Sequence, residues 1–165
     1  MVNLCCTKEF LKRLNRKADA SEASGSVFGD WYGKELRSGT RRHFVFMSNR
    51  TGISLILPAR MHDLENIFRQ HLGRVLYEVG ASPIAIREEL AHASDFNYTT
   101  SASRSSIGCL NEVVHQCQWM IETEPGITAE SLEEYIFELP LGGPDYWWPR
   151  RDTLELLKSF YMDIA

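Results

Sequence analysis

Three groups of residues in this chain have the types and spacing to do chemistry or recognition. The first is Thr99–Asn111, TTSASRSSIGCLN. A helix beginning near Ser103 or Ser105 places Arg104, Ser105 and Ser106 at its N-terminus, where free N–H groups and the helix dipole attract anions. Arg104 can then clamp a phosphate or carboxylate, and Asn111, two turns on, can orient one. The competing reading makes the serines caps, pairs Arg104 with a local acid and leaves Asn111 to bond within the fold. Gly108 is compatible with close helix packing. Cys109 near a helix start could have a depressed thiol pKa. It lacks a sequence-local base, because His115 is six residues on and on another face. A buried structural thiol is the commoner outcome.

The second group is basic: Arg37, Arg41, Arg42 and His43 flank a Ser38-Gly39 turn, with Arg50 at the opposite end. Arg41 and Arg42 project to opposite faces if both lie in one strand. They either guard a sheet end or meet a phosphate-bearing partner. The third group is aromatic: Asp30-Trp31-Tyr32 and Tyr146-Trp147-Trp148-Pro149. Trp31 reads as core. Trp147 and Trp148, in a Gly/Pro-rich connection beside Arg150-Arg151, fit a core lid or an exposed partner contact equally well.

Metal and nucleotide motifs are missing. Cys5 and Cys6 are adjacent and point to opposite faces of a strand, Cys117 repeats an apolar stripe, and the five histidines are scattered. There is no P-loop, G-x-G-x-x-G or G-x-S-x-G. Glu88-Glu89, Glu122/Glu124 and Glu133-Glu134 read as solvated helix faces and ends. No metal or cofactor is expected.

The elements that must position these groups follow from periodicity. Residues 2–6 are β-prone, and Thr7 N-caps a short helix bearing Phe10, Leu11 and Leu14. Residues 17–27 read as a mobile surface loop. Between Asp30 and Pro58, three β-prone runs are separated by Ser38-Gly39 and Asn49–Gly52, which predicts an antiparallel meander. Leu64, Ile67, Phe68, Leu72, Val75, Leu76 and Val79 predict a helix ending at Gly80. Ser82-Pro83 opens another to about Ala93, and 96–101 is a candidate strand. Ile107, Leu110, Val114, Cys117 and Ile121 predict a long amphipathic helix. Ser131 with Glu134 and Asp152 with Glu155 read as capping boxes for two more. The last of these carries Leu154, Leu157, Phe160 and Ile164 after an irregular connection over 140–151. The expected fold is α+β, a single domain over 1–165, with helices packed on one face of the sheet.

Cys6-Thr7-Lys8 before a short helix, Asp30-Trp31-Tyr32, Arg41-Arg42 entering an apolar strand, Ser48-Asn49 at its end, Thr51 and Ser54–Pro58 occur in a telling order. Ser103-Arg104-Ser105 with Gly108 and Asn111, then Leu139-Pro140 with Gly142, continue it. From about Cys6 to Gly143 the chain resembles a small bacterial and mobile-element domain family of unknown function. The resemblance implies that Asp30, Trp31, Tyr32, Arg41, Arg42, Asn49, Thr51, Arg104, Ser105, Gly108 and Asn111 match recurring positions. It implies no activity. An Asn is expected just before Ser-Arg-Ser, where this chain has Ser101-Ala102; a polar site built on that Asn is altered here. The Trp147-Trp148 pair lies outside the resemblance.

The net charge of −4 argues against a dedicated nucleic-acid binder, which carries a basic surplus, though a local basic patch stays possible. Without a leader or an apolar run of membrane length, a cytoplasmic protein with reduced thiols is expected. Two functions fit. One is a non-enzymatic protein-interaction module, antitoxin- or inhibitor-like, from a mobile element or phage, meeting another protein through Tyr146, Trp147 and Trp148. The alternative is a small enzyme or ligand-binding protein. It would gather Arg41 or Arg42, Asn49, Arg104, Ser105 and Asn111 around an anionic nucleotide or phosphodiester. The oligomeric state is open.

Overall fold

A computed structural model describes residues 1–100, 103–142 and 146–162. Ser101, Ala102, Gly143 and Ile164 lie outside the described residues. The elements run β1 (Val2–Cys6), α1 (Lys8–Arg13), β2 (Asp30–Ser38), β3 (Arg41–Ser48), β4 (Ser54–Pro58), α2 (Leu64–Glu78) and α3 (Pro83–His92). They continue with β5 (Phe96–Thr100), α4 (Arg104–Thr123), α5 (Ala129–Phe137) and α6 (Pro149–Tyr161).

The meander forms as expected. β2 and β3 pair antiparallel around a turn at Gly39, and β3 and β4 around Asn49–Gly52. Gly39 and Gly52 have φ of 58° and 71°, a conformation that suits glycine at tight turns. The sheet is mixed rather than purely antiparallel, however. Its order is β4-β3-β2-β1-β5, and β1 pairs parallel with both β2 and β5.

Helices cover both faces, not one. On one face Leu4, Trp31, Phe44, Phe46 and Leu57 pack against α1 and α2. Phe10 meets Phe44 edge-on at 5.3 Å, and Phe68 meets Trp31 at 5.2 Å. On the other, Tyr32, Leu36, Val45, Met47 and Ile56 pack against α4 and α5. This is why residues 44–47 and 53–57 are almost continuously apolar, without strict alternation: both sides of those runs are buried. Among the described residues no helix is long and apolar enough to cross a membrane.

The 17–27 segment is a surface loop, but it is pinned. Asp19 donates its N–H to the Tyr98 carbonyl at 2.7 Å. The chain then passes over the sheet, where Asn97 and Asn3 donate side-chain N–H to the Ala20 and Glu22 carbonyls. Asn3 also donates to Asp30 at 2.9 Å and accepts from Asn97 at 3.1 Å, a buried polar ladder across β2, β1 and β5.

Thr7 and Ser82 cap α1 and α3 as expected. Thr128 rather than Ser131 caps α5, and α6 starts at Trp148-Pro149. Asp152 instead reaches back to accept the Trp148 N–H at 2.8 Å. Two carboxylates expected in solvent are buried. Glu89 accepts hydrogen bonds from Ser26 Oγ, the Val27 N–H and Tyr161 Oη. Glu133 accepts from Arg74 and, at 2.7 Å, from the Ile56 N–H of the edge strand β4. Helical spacing placed both on the same faces as apolar neighbours, and their polar partners come from distant segments.

Candidate functional site

β1 and β5 are adjacent parallel strands whose continuations leave on opposite faces. α1 joins the Trp31 side of the sheet and α4 the Tyr32 side. Where neighbouring connections diverge in this way, a crevice opens outside the carboxyl ends of the strands. Here those ends carry Thr7, Lys8 and Thr100, followed by the start of α4. β2 runs on past β1, whose last residue Cys6 pairs with Gly33, so Lys34–Ser38 forms a further wall.

This end of the molecule is basic. Lys8, Lys12, Arg13, Arg16 and Lys17 are five cations within ten residues. Lys34 and Arg37 of β2 and Arg42 of β3 join them, making eight of the chain's eighteen lysines and arginines. Glu9, Asp19, Glu35 and Glu65 are acids interspersed with them. Glu35 is shared by three guanidinium groups: Arg37 at 3.0 Å, Arg42 at 2.8 Å, and Arg13. Arg16 is answered by Glu65 at 2.6 Å and lies over the Tyr98 ring. Glu65 is held below the ordinary carboxylate range: partial burial pushes it up, but bonds from Tyr98 and Arg16 outweigh that. Grooves open on either side of α1. One, of about 260 Å³, is lined by Thr7, Arg13, Lys34 and Glu35; the other, of about 400 Å³, by Lys8, Lys12, Arg16, Lys17 and Thr100.

The α4 start adjoins this surface. Ser103 is the N-cap, accepting the Ser106 N–H at 3.2 Å, and its own N–H points to Tyr32 Oη at 3.4 Å. Ser105 bonds Ser103. Arg104, Gly108 and Asn111 follow at i, i+4 and i+7 on the outward face, and all are exposed. Lys34 Nζ donates to Asn111 Oδ1 at 2.7 Å, tying α4 to the basic wall. Gly108 does not serve close packing: a β-carbon there would have nothing within 4 Å.

The six polar residues suspected from sequence are not gathered into one cleft. Arg42 projects on the α1 side of β3, with Phe44 and Phe46, whereas Arg41 projects on the α4 side and donates to the Pro125 carbonyl at 3.3 Å. Asn49 lies seven residues beyond Arg42, ~23 Å along the strand. It accepts the Asp30 N–H at 3.0 Å, bracing the chain at Gly29. Arg104, Ser105 and Asn111 do share one stretch of α4. At the aromatic tail, Trp147 is half-buried in a bridge with Leu141 and covers Gly52. Tyr146 and Trp148 are exposed. Sequence reasoning passed over Lys8, Lys12, Arg13 and Lys34, although five cations in Lys8–Lys17 were a readable signal.

The thiols are poor nucleophiles. Burial pushes Cys5 up to about 11, despite a 3.1 Å bond with Thr99, and pushes Cys117 up to about 12. Cys109 is also raised, by burial and then by Glu112, so the helix start does not depress it. Among the described residues no group of three or more His, Cys, Asp or Glu is placed to hold a metal ion.

A family model described as a domain of unknown function (DUF6933) matches residues 3–152, nearly the whole chain, and the chain belongs to that family. Comparisons with curated proteins and with solved structures returned no match.

Proposed function

We propose that this member of the family is a binding domain for an extended phosphate-bearing ligand, a phosphodiester chain, which lies across α1, the exposed end of β2 and the first turns of α4. The observation that carries the reading is charge segregation: eight of eighteen cations stand at one end of a chain whose net charge is −4. Three guanidinium groups there share one carboxylate, so the surplus positive charge is uncompensated by the protein. Such a surface binds phosphates by releasing condensed counterions. Its spread over two grooves favours a chain of phosphates over a single one.

Gly108 supports the same surface. Glycine in an exposed helix interior costs about 1 kcal/mol relative to alanine. Neither packing nor a positive φ requires it here. A glycine retained at that cost leaves room for a ligand backbone to cross the helix between Arg104 and Asn111. Catalysis is not part of the proposal, because the buried carboxylates and thiols are committed to the fold.

The test is fluorescence anisotropy with a labelled single-stranded oligonucleotide, with inorganic pyrophosphate as competitor. Affinity should fall with rising salt, with a log–log slope near −0.7 per phosphate engaged, so roughly −3 for four contacts. Lys8→Glu with Lys12→Glu should weaken binding about tenfold or more, and Arg151→Glu with Lys158→Glu on α6 should not. Gly108→Ala should stabilise the fold by about 0.5–1 kcal/mol while weakening binding. Failure to bind at low salt, or equal losses from the α1 and α6 changes, would remove the proposal.

A further inference from the structure

A groove of about 680 Å³ runs between α2 and α3, apart from the basic end. Its floor is apolar, formed by Ala81, Pro83, Ile86 and Leu90. The two helices approach closely because Gly73 faces Leu90, whose methyl would stand 3.4 Å from a β-carbon at that position. Arg69 and Tyr77 of α2 line one wall and Arg87 of α3 the other. Tyr77 is 77% exposed. Arg87 touches its neighbour Glu88 at 3.1 Å, with both side chains in solvent; such a pair is worth less than about 1 kcal/mol and exchanges readily for another acid.

We infer that this groove docks an amphipathic helix of another protein, its apolar stripe on the floor and its acidic residues reaching Arg69 and Arg87. Charge complementarity selects the occupant: the floor carries no charge, and both walls carry an arginine. Tyrosine and arginine are among the side chains enriched at the energetic centres of such contacts, and here they frame the apolar strip a helix needs. The α2 wall from Arg69 to Tyr77 is ~12 Å long, which matches about two turns of a bound helix.

The probe is a labelled synthetic helix of about 15 residues, long enough to fold on contact, with leucines at helical spacing flanked by glutamates. It is titrated into the full chain beside a version carrying lysines in place of the glutamates. The glutamate helix should bind about tenfold tighter or more, a difference of about 1.4 kcal/mol. Tyr77→Ala should weaken it about fivefold or more. Arg69→Glu with Arg87→Glu should reverse the preference, and Lys8→Glu with Lys12→Glu should leave it intact, with circular dichroism showing each variant folded. Equal binding of the two helices would overturn the inference. So would a preference abolished by the Lys8/Lys12 change and not by the Arg69/Arg87 change, which would assign the peptide to the basic end. Adsorption to phosphatidylserine vesicles that the peptide fails to displace would assign the groove to a lipid surface instead.

Discussion

Glu133 and Glu35 both hold arginine, but the two regions they occupy are balanced differently. Glu133 is fully buried, its charge answered by Arg74 and a remaining lone pair by the Ile56 N–H. Every group there has its partner, and the result is a sealed edge on β4. Glu35 faces Arg13, Arg37 and Arg42, with Lys34 beside it and solvent within reach. One carboxylate cannot answer three guanidinium groups. A buried charge that is matched serves the fold, whereas an exposed cluster left with surplus charge is suited to a ligand of opposite sign.

The comparison can be broken at three places. The largest effect is expected at Glu133. Glu133→Ala leaves the Arg74 guanidinium without its buried partner and the Ile56 N–H without an acceptor. Stability should drop by about 3 kcal/mol, the lower end for a broken buried pair because Arg74 keeps some access to water. Urea denaturation measures it, and a loss under 1 kcal/mol would show that water replaces the carboxylate.

Glu35→Gln should behave in the opposite sense. The three arginines are partly solvated, so stability should change by about 1 kcal/mol or less. The oligonucleotide should bind about threefold or more tightly, because a competing anion is gone. Weaker binding would mean that Glu35 positions the arginines and that this positioning matters more than its charge.

The smallest effect concerns Glu65, which pairs with Arg16 and Tyr98. Its folded pKa lies below the ordinary value of 4.5, so the unfolded chain takes up the proton first. The stability it contributes is therefore present above pH 4.5 and is lost as pH falls through the folded value. Glu65→Gln should lower stability near neutrality and flatten its decline below pH 4.5, as read from denaturation midpoints. An unchanged acid limb would place Arg16 with the surplus cations instead of the matched pairs.

Much of this was legible in the sequence, and the failures share a cause. The meander turns, the Thr7, Ser82 and Ser103 caps and the apolar stripe of α4 depend on residues within a few positions of one another. Glu89 and Glu133 misled because a glutamate beside polar neighbours looks solvated until Ser26, Tyr161, Arg74 and Ile56 arrive from elsewhere in the chain. Gly108 looked like a packing residue because a glycine in a helix suggests close approach, whereas here it lies off the apolar stripe with nothing within 4 Å of a β-carbon at that position. The acidic average, likewise, concealed a basic end.

The sequence alone determined most of the elements, the almost continuous apolar runs of the central strands, and the motif-poor composition. These follow from short-range sterics, helical and strand periodicity, and residue type. Only the tertiary structure decided that β1 enters the sheet parallel, between β2 and β5. That placement sends α1 and α4 to opposite faces and brings Lys8–Lys17 of α1 and the segment after it, Lys34 and Arg104 to the same end. Strand register and charge segregation are set by contacts between residues far apart in the chain, and no local pattern encodes them.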